Sequence, residues 1–140
     1  MICVGLSAPR LTHFGLATHQ FISDADVITQ AKAEETTRAV QAMRKAHRFG
    51  LLNNAIIGIG NAPTALIEIV RLIHEENLRP ALVIGMPVGF VSAAESKALL
   101  AQIDTVPWIG IRGRKGGSTL VVAAIHALLG IAESRQRNAA

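Results

Sequence analysis

The chain alternates short apolar runs with longer stretches in which apolar residues recur every three or four positions. Three of the runs are continuous and rich in Ile and Val: AIIGIG at 55–60, ALVIG at 81–85 and PWIGIRG at 107–113. Strands that are buried on both faces of a parallel sheet have this composition. Because each run is followed by a helical pattern, the sequence predicts three consecutive strand–turn–helix units. We therefore expect an α/β fold, in which a doubly wound, mostly parallel sheet carries helices on both faces in a Rossmann-like three-layer arrangement.

The first fifty residues carry a weaker pattern. Short apolar runs at 1–5 and 17–22 predict two further strands. Ser7 and Asp24 are residue types that commonly cap helix N-termini, so a helix is expected after each of them. The helical pattern over 36–49 ends at a glycine, as many helices do.

Length and hydrophobicity define the domain organisation. The chain has 140 residues, of which half are hydrophobic, enough for one compact domain and too few for two. We assign that domain to 1–132 and expect the polar tail at 133–140 to fray.

No apolar run reaches membrane-spanning length without a charge, Gly or Pro, and residues 1–20 lack the order of n-region, apolar region and cleavage site that marks a signal peptide. With a single cysteine, Cys3, no internal disulfide can form, so we expect a cytoplasmic protein that does not contact a membrane.

The charge pattern favours a small anionic ligand. The net charge is +4, with 14 Lys and Arg against 10 Asp and Glu, and the chain has no Tyr, one Trp and four Phe. Such a composition offers few rings on which nucleic-acid bases could stack, so we expect no nucleic-acid partner. Several cations lie instead beside glycines, in IRGRKGGST at 111–119, which suits a compact polyanion.

The predicted strand ends bring these features to one edge of the sheet. In open α/β sheets, ligands bind outside the carboxyl ends of the strands. Here those ends are the turns at 60–63, 85–89 and 112–117, which are rich in Gly and Pro. Glycine lets a ligand approach the backbone closely, and a helix N-terminus behind it offers free N–H groups. With Arg112 and Arg114 in the third turn, this edge suits a ligand that bears several carboxylates or phosphates.

Two of these features also have purely structural interpretations. Asn61 fits the N-cap of the following helix, with Pro63 in the first turn, where proline is tolerated. Ser92 and Glu95 form the S-x-x-E pattern of a capping box, which favours a structural role for Glu95 over a catalytic one.

Two nucleotide-binding motifs are excluded or weak. GRKGGST at 113–119 resembles a phosphate loop, but its lysine precedes two glycines and not a Ser or Thr, so a nucleoside triphosphatase is excluded. GIGNAP at 58–63 lacks the third glycine of a dinucleotide turn, and no acidic residue ends the next strand. A nicotinamide enzyme is therefore disfavoured.

The histidines do not predict a metal site. No H-x-x-x-H or C-x-x-C pattern is present, and the five histidines are scattered: His13, His19, His47, His74 and His126. His19 has the least evident structural role, and in a cleft its imidazole would titrate near neutral pH. It is therefore our candidate for a catalytic proton donor.

Three long segments resemble one protein family. GIGNAPTAL at 58–66, GMPVGFVSAAESK at 85–97 and IRGRKGGSTLVVAA at 111–124 resemble, in this order, motifs of the precorrin-8X methylmutase (precorrin isomerase) family of cobalamin biosynthesis. The stretch at 22–43 is similar to the family segment that carries a Thr-Arg pair, here Thr37 and Arg38. The resemblance covers nearly the whole chain.

The resemblance implies a reaction and a set of site residues. The family moves a methyl group from C-11 to C-12 of precorrin-8, a contracted tetrapyrrole with many carboxylates, giving hydrogenobyrinic acid or its cobalt counterpart. It implies no redox cofactor, a small-molecule tetrapyrrole as the partner, and a homodimer. Matching the motifs residue by residue places the following side chains on the substrate cleft: Thr37, Arg38, Asn61, Pro63, Thr64, Pro87, Val88 and Gly89, with Arg112 and Arg114 as carboxylate contacts.

One departure from the family leaves three interpretations open. The histidine that the family uses as proton donor lies in a region upstream of this chain's first residue, and no histidine of this chain matches it. The chain is then a fragment of an ordinary methylmutase, a short form that takes its proton donor from His19 or from a partner chain, or a non-catalytic module that binds a corrinoid.

Overall fold

The computed structural model describes all 140 residues. The chain forms seven helices and one three-stranded sheet. The elements, in chain order, are α1 Ile2–Gly5, α2 Ala8–His13, α3 Ala25–Ala33, α4 Arg38–Arg48, β1 Ile56–Ile59, α5 Pro63–Glu75, β2 Leu82–Gly85, α6 Ala93–Leu100, β3 Trp108–Gly110 and α7 Ser118–Ala139.

The sheet has the order β1-β2-β3, and both strand pairs are parallel. Ile57 lies opposite Val83, which lies opposite Trp108. Since side chains alternate along a strand, the register gives the sheet two apolar faces. The three Ile- and Val-rich runs form these strands because both faces are covered by helices, which confirms the predicted parallel sheet.

Helices α5 and α6 cover one face of the sheet. Their side chains pack with those of the strands in a cluster of 15 buried residues, in which Leu66 and Ile69 of α5 and Val83 of β2 are fully buried. Both helices connect one strand to the next, so their position follows from the right-handed crossover of parallel strands. Helix α4 packs on α5, and α3 packs on α4.

An ion-pair network joins α4 to α5. The carboxylate of Glu68 on α5 is almost fully buried, and it accepts hydrogen bonds from Arg44 Nε at 2.9 Å and from Arg71 Nη2 at 2.7 Å. Burial alone would raise the pKa of Glu68, but the bonds from Arg71 and Arg44 lower it below its ordinary value. The network holds the middle of α4 against the middle of α5.

Helix α7, with α1 and α2, covers the other face. Val121, Ile125 and Leu129 of α7 recur every four residues and pack against Ile84 and Met86. The helix lies close to the sheet, because a Cβ atom on Gly58 would be only 2.9 Å from the side chain of Val121. The three-layer α/β arrangement predicted from the sequence is therefore confirmed.

By length and composition alone, α7 could also cross a membrane. The same test is passed by core helices of water-soluble folds. The four-residue spacing of its buried positions is that of a helix that covers a sheet.

The structure corrects two predictions near the N-terminus. Residues 1–5 are not a strand: Ile2–Gly5 is one helical turn, and Ile2 and Leu6, four positions apart, both pack on the core below α7. Residues 17–22 form no regular structure. Both runs are too short to distinguish a strand from a helical turn, and no neighbouring strand is placed to pair with either of them.

The prediction of a frayed tail is also wrong. Helix α7 continues to Ala139, through the polar residues. Glu133 makes a two-bond ion pair with Arg10 of α2, with both N···O distances 2.8 Å, and Gln136 lies 2.9 Å from the ring of His13. The tail is helical because α2 supplies partners for its polar side chains.

Candidate functional site

The carboxyl ends of the three strands lie at one edge of the sheet. The turn that follows β2 is fixed to the turn that follows β1 by backbone hydrogen bonds. Met86 N donates to Ile59 O at 2.9 Å, and Val88 N donates to Gly60 O at 3.2 Å. Pro87 between them is fully buried, while Val88 is partly exposed. The two turns therefore form one rigid surface.

The loop between β3 and α7, residues 111–117, docks on the same surface. Gly117 N donates to Met86 O at 2.9 Å, and Gly89 N donates to Arg114 O at 3.2 Å. Gly116 packs directly on the Met86 carbonyl, where a Cβ atom would overlap it. Glycine is required at this position because two stretches of backbone are in contact.

The N-terminus of α7 lies against the turn after β1. A Cβ atom on Gly60 would be 2.6 Å from the backbone of Ser118, so no side chain fits there. Next to it, Asn61 Nδ2 donates to Ser118 Oγ at 3.0 Å. The N-cap of α5 is Ala62, not Asn61, so the N-cap interpretation of Asn61 is wrong. Its amide joins two turns that are distant in sequence.

The N-termini of α4 and α5 extend this edge. Thr37 is the N-cap of α4, and its Oγ1 accepts a hydrogen bond from Val40 N. The same hydroxyl lies 2.9 Å from Thr64 Oγ1, in the first turn of α5, one residue after Pro63. The two hydroxyls and two helix N-termini provide several hydrogen-bond donors side by side.

Arg38, the first residue of α4, borders a shallow open concavity. Its guanidinium makes no hydrogen bond within the chain. The concavity has a volume of about 440 Å³ and includes a second cation, Lys32. Its other lining residues come from α3 and the turn that follows it: Ile28, Ala31, Glu35 and Thr36.

The loop after β3 adds three further cations to the site. Arg112, Arg114 and Lys115 are exposed. The guanidinium of Arg114 lies over the ring of Phe90, 5.7 Å from its centroid, and Phe90 is 84% exposed. An exposed ring beside an exposed cation offers both a flat apolar surface and a carboxylate contact.

A buried lysine lies beneath this loop. Lys97 of α6 is 6% exposed, and its Nζ donates to Lys115 O at 2.6 Å. Burial lowers the pKa of Lys97 below its ordinary value. The α6 N-terminus nearby does not form the predicted capping box, because Ser92 has a left-handed backbone and its side chain makes no capping bond. Glu95 therefore has no capping role.

The structure does not bring His19 to this edge. Its exposed ring stacks on Phe21, which contacts Phe49 and Lys45 at the C-terminal end of α4. The site begins at Thr37, at the other end of that helix, about 12 Å from Lys45 along the helix axis. The ring of His126 lies near Gly5 O and Arg10 below α7, also outside the site. No three His, Cys, Asp or Glu side chains are grouped to hold a metal ion.

Of the ten residues that the motifs indicated, Arg38 faces the concavity beside α3, and the others belong to the strand-end turns, to the loop at 111–117 and to the starts of α4 and α5. They lie on adjacent turns and helix starts, and direct hydrogen bonds link Thr37 to Thr64 and Gly89 to Arg114. The surface is open, cationic on one side and rich in backbone and hydroxyl donors. The fold and the site define an α/β protein whose parallel sheet presents cationic side chains and hydrogen-bond donors at its carboxyl edge, where ligands bind in open α/β sheets.

Comparison with known proteins identifies the family. The sequence profile described as precorrin-8X methylmutase matches residues 1–131. The chain belongs to the precorrin-8X methylmutase family. It is 51% identical to the cobalt-precorrin-8 methylmutase of Leptospira interrogans and 51% identical to that of Priestia megaterium, in each case over 96% of this chain.

The fold is shared with solved structures of the family. A precorrin-8X methylmutase from Thermus thermophilus superposes with a TM-score of 0.86 at 51% identity and covers 94% of this chain. A precorrin-8X methylmutase related protein superposes with a TM-score of 0.81 at 26% identity. The chain spans 64% and 58% of the two curated relatives and 62% of the Thermus structure.

Sequence reasoning missed two contacts of the site. Ser118 orients Asn61, and Lys97 supports the cationic loop. Both residues lie inside the segments that carried the family resemblance, GGST and AAESK. A contact between two turns far apart in sequence leaves no periodic signal, so only the fold reveals it.

Proposed function

We propose that this chain provides the substrate cleft of a precorrin-8X methylmutase. The reaction moves a methyl group from C-11 to C-12 of precorrin-8 or cobalt-precorrin-8, giving hydrogenobyrinic acid or its cobalt form, in cobalamin biosynthesis. The observation that carries the proposal is the strand-end edge, where three interlocked turns bear the family's motifs. The alternative, a module that binds a corrinoid without converting it, is an outcome of the test below.

The charges and donors of the edge suit the peripheral carboxylates of a contracted tetrapyrrole. Arg112 and Arg114 supply exposed guanidinium groups, which bind carboxylates through paired N–H donors. The helix starts at Thr37 and Thr64 add hydroxyl and backbone donors on the other side. A ligand with acids around its rim is thereby held at several points, which fixes its orientation over the turns.

Binding is a large part of catalysis in such a rearrangement. The methyl group moves within one molecule, so the protein accelerates the step by binding the geometry and tautomer that lead to the product. Rigid turns serve this purpose because they do not have to reorganise when charge shifts on the macrocycle. The buried Pro87 and the backbone bond from Val88 to Gly60 provide such rigidity.

A proton donor completes the mechanism, and the described site residues include no histidine. His19 lies near the opposite end of α4. We therefore propose that the donor comes from outside this edge, either from further residues of the kind that the longer relatives possess or from a second chain.

We further propose that the chain forms a homodimer through the layer of α1 and α7. Val4 on α1 is 90% exposed, and Leu120 and Ile131 on α7 are also exposed, so a second copy would bury apolar surface there. Light scattering after gel filtration tests this, with Ile131→Asp expected to give a monomer. Leu99→Asp, on the opposite layer, should leave the dimer intact; a monomeric native chain would contradict the proposal.

Turnover of precorrin-8 is the direct test of the function. The purified chain is incubated with precorrin-8, and the absorption change to hydrogenobyrinic acid is followed, with the precorrin-8X methylmutase of Pseudomonas aeruginosa as the positive control. Product formation supports the proposal, and His19→Ala should then retain activity. Binding of hydrogenobyrinic acid without turnover would favour the non-catalytic module, and absence of both would contradict a corrinoid site in this chain.

A further inference from the structure

Lys97 is a charged side chain that the family motifs do not assign to the site. It belongs to α6, on the same face as Ser96 and Leu100, which are fully buried. Lysine is rarely buried without a partner, because removing the ammonium group from water costs several kcal/mol. A buried ammonium group at this position therefore needs a hydrogen-bond acceptor.

That contact is a single backbone carbonyl. Lys97 Nζ donates to Lys115 O at 2.6 Å, across 18 residues of sequence. Lys115 itself is exposed and directs no hydrogen bond to another side chain. The bond thus fixes the backbone of the loop at 111–117 from below and leaves the side chain of Lys115 free.

The position of this bond within the loop is informative. The carbonyl of Arg114 accepts from Gly89 N, the carbonyl of Lys115 accepts from Lys97, and the amide of Gly117 donates to Met86 O. Arg114, Lys115 and Gly117 are thereby fixed to the turn that follows β2 and to α6. Of the three bonds, the one from Lys97 is made by a side chain, so it can be removed by substitution without changing the backbone.

We propose that Lys97 is a positioning residue: it holds the loop at 111–117 in the conformation that presents Arg112 and Arg114 to the carboxylates of the ligand. The inference deepens the proposed function and rests on it for the nature of the ligand. The ammonium group also adds a fixed positive charge below the loop, which strengthens the attraction for an anion in a partly desolvated place.

The test combines two readouts on Lys97→Met, which keeps the apolar stem and removes the ammonium group. Hydrogen–deuterium exchange of the amides at 111–117 should become roughly tenfold faster, since local opening of the loop is easier. The dissociation constant for hydrogenobyrinic acid should rise by about tenfold. Global stability should be unchanged or higher, because a buried charge has been removed, and this separates positioning from a merely structural role.

Lys115→Ala is the matched control. It removes a positive charge from the loop but keeps the carbonyl that Lys97 binds, so loop exchange should match that of the native chain even if binding weakens. If Lys97→Met does not fold, Lys97→Leu, which also has no donor for the carbonyl, gives the same readout.

Native-like loop exchange in a folded Lys97 variant would overturn the proposal. If the native chain does not bind hydrogenobyrinic acid, the proposed function fails, while the exchange comparison between Lys97→Met and Lys115→Ala still shows whether Lys97 positions the loop.

Discussion

The Gly116 backbone packs so closely on the Met86 carbonyl that no side chain can be placed between them. This contact joins the loop after β3 to the turn after β2, and the neighbouring bond from Gly117 N to Met86 O, 2.9 Å long, fixes the register of the two segments. The conformation of the cationic loop is therefore determined by backbone packing as well as by Lys97.

We expect Gly116→Ala to displace the loop. The added methyl group overlaps a backbone carbonyl, which cannot rotate away, so the free energy of unfolding should fall by about 1–3 kcal/mol. Exchange of the Gly117 and Gly89 amides should accelerate, because their acceptors lie across this contact. Denaturant unfolding and hydrogen exchange provide the two measurements.

Gly113→Ala is the control for that substitution. Gly113 lies in the same loop with φ +76° and open space around its Cα. Alanine at this position would have an unfavourable left-handed backbone, which should lower the free energy of unfolding by about 1–2 kcal/mol, but it would overlap no neighbouring atom. The Gly117 amide should keep its protection; faster exchange in both variants would show that the loop responds to any strain and not to the Met86 contact.

Arg114 should contribute to ligand affinity through its charge. We expect Arg114→Gln to weaken hydrogenobyrinic acid binding about tenfold and to reduce the dependence of affinity on salt, because a charge-assisted contact is lost. Arg135→Gln removes another exposed cation, near the far end of α7, and should change neither. Equal losses in the two variants would indicate that net charge alone attracts the ligand.

The sheet and the location of the site could be predicted from the sequence. The runs that form β1 and β2 are almost wholly apolar, so their composition is distinctive. Parallel strands necessarily present their carboxyl ends at one edge. For this reason the sequence predicts that the turns with Asn61, Pro87 and Arg112 lie at one edge of the sheet, and the structure confirms it. Their roles in ligand binding stay predictions.

The N-terminal elements and the cross-turn contacts could not be predicted. Residues 1–5 are helical because Ile2 and Leu6 pack below α7, a tertiary contact that a five-residue pattern does not contain. A lysine such as Lys97 is expected from sequence to be exposed to solvent. Its burial becomes evident only when the fold places the Lys115 carbonyl next to its ammonium group. Such contacts depend on which turns the fold brings together.

Glu68 should stabilise the packing of α4 on α5. We expect Glu68→Gln to lower the free energy of unfolding by about 1–3 kcal/mol, since Arg44 and Arg71 lose a buried carboxylate but remain partly solvated. Glu75→Gln, which removes an exposed partner of Arg71, should cost less than about 0.5 kcal/mol. Similar losses would show that the burial of Glu68 is unimportant.

Glu68 should also affect how the free energy of unfolding depends on pH in the acid range. The pKa of Glu68 is lowered in the folded chain, so the unfolded chain binds the proton more readily and stability rises with pH. Its contribution is complete above the unfolded pKa of about 4.3 and is lost as pH falls through the lower folded value. Urea unfolding between pH 2 and 7 should therefore show a shallower acid loss in Glu68→Gln; parallel curves would contradict this.

Asn61 and Ser118 should act as a coupled pair. Their hydrogen bond, 3.0 Å long, orients the Asn61 amide between the turn after β1 and the start of α7. Ser118→Ala should weaken hydrogenobyrinic acid binding several-fold, because the Asn61 amide can then rotate out of place. The coupling energy between the two substitutions should be about 0.5–1.5 kcal/mol. In the Asn61→Ala background the same substitution should have almost no further effect. A double-mutant cycle measured by titration checks this: additive losses would mean that Ser118 contacts the ligand independently and does not act by orienting Asn61.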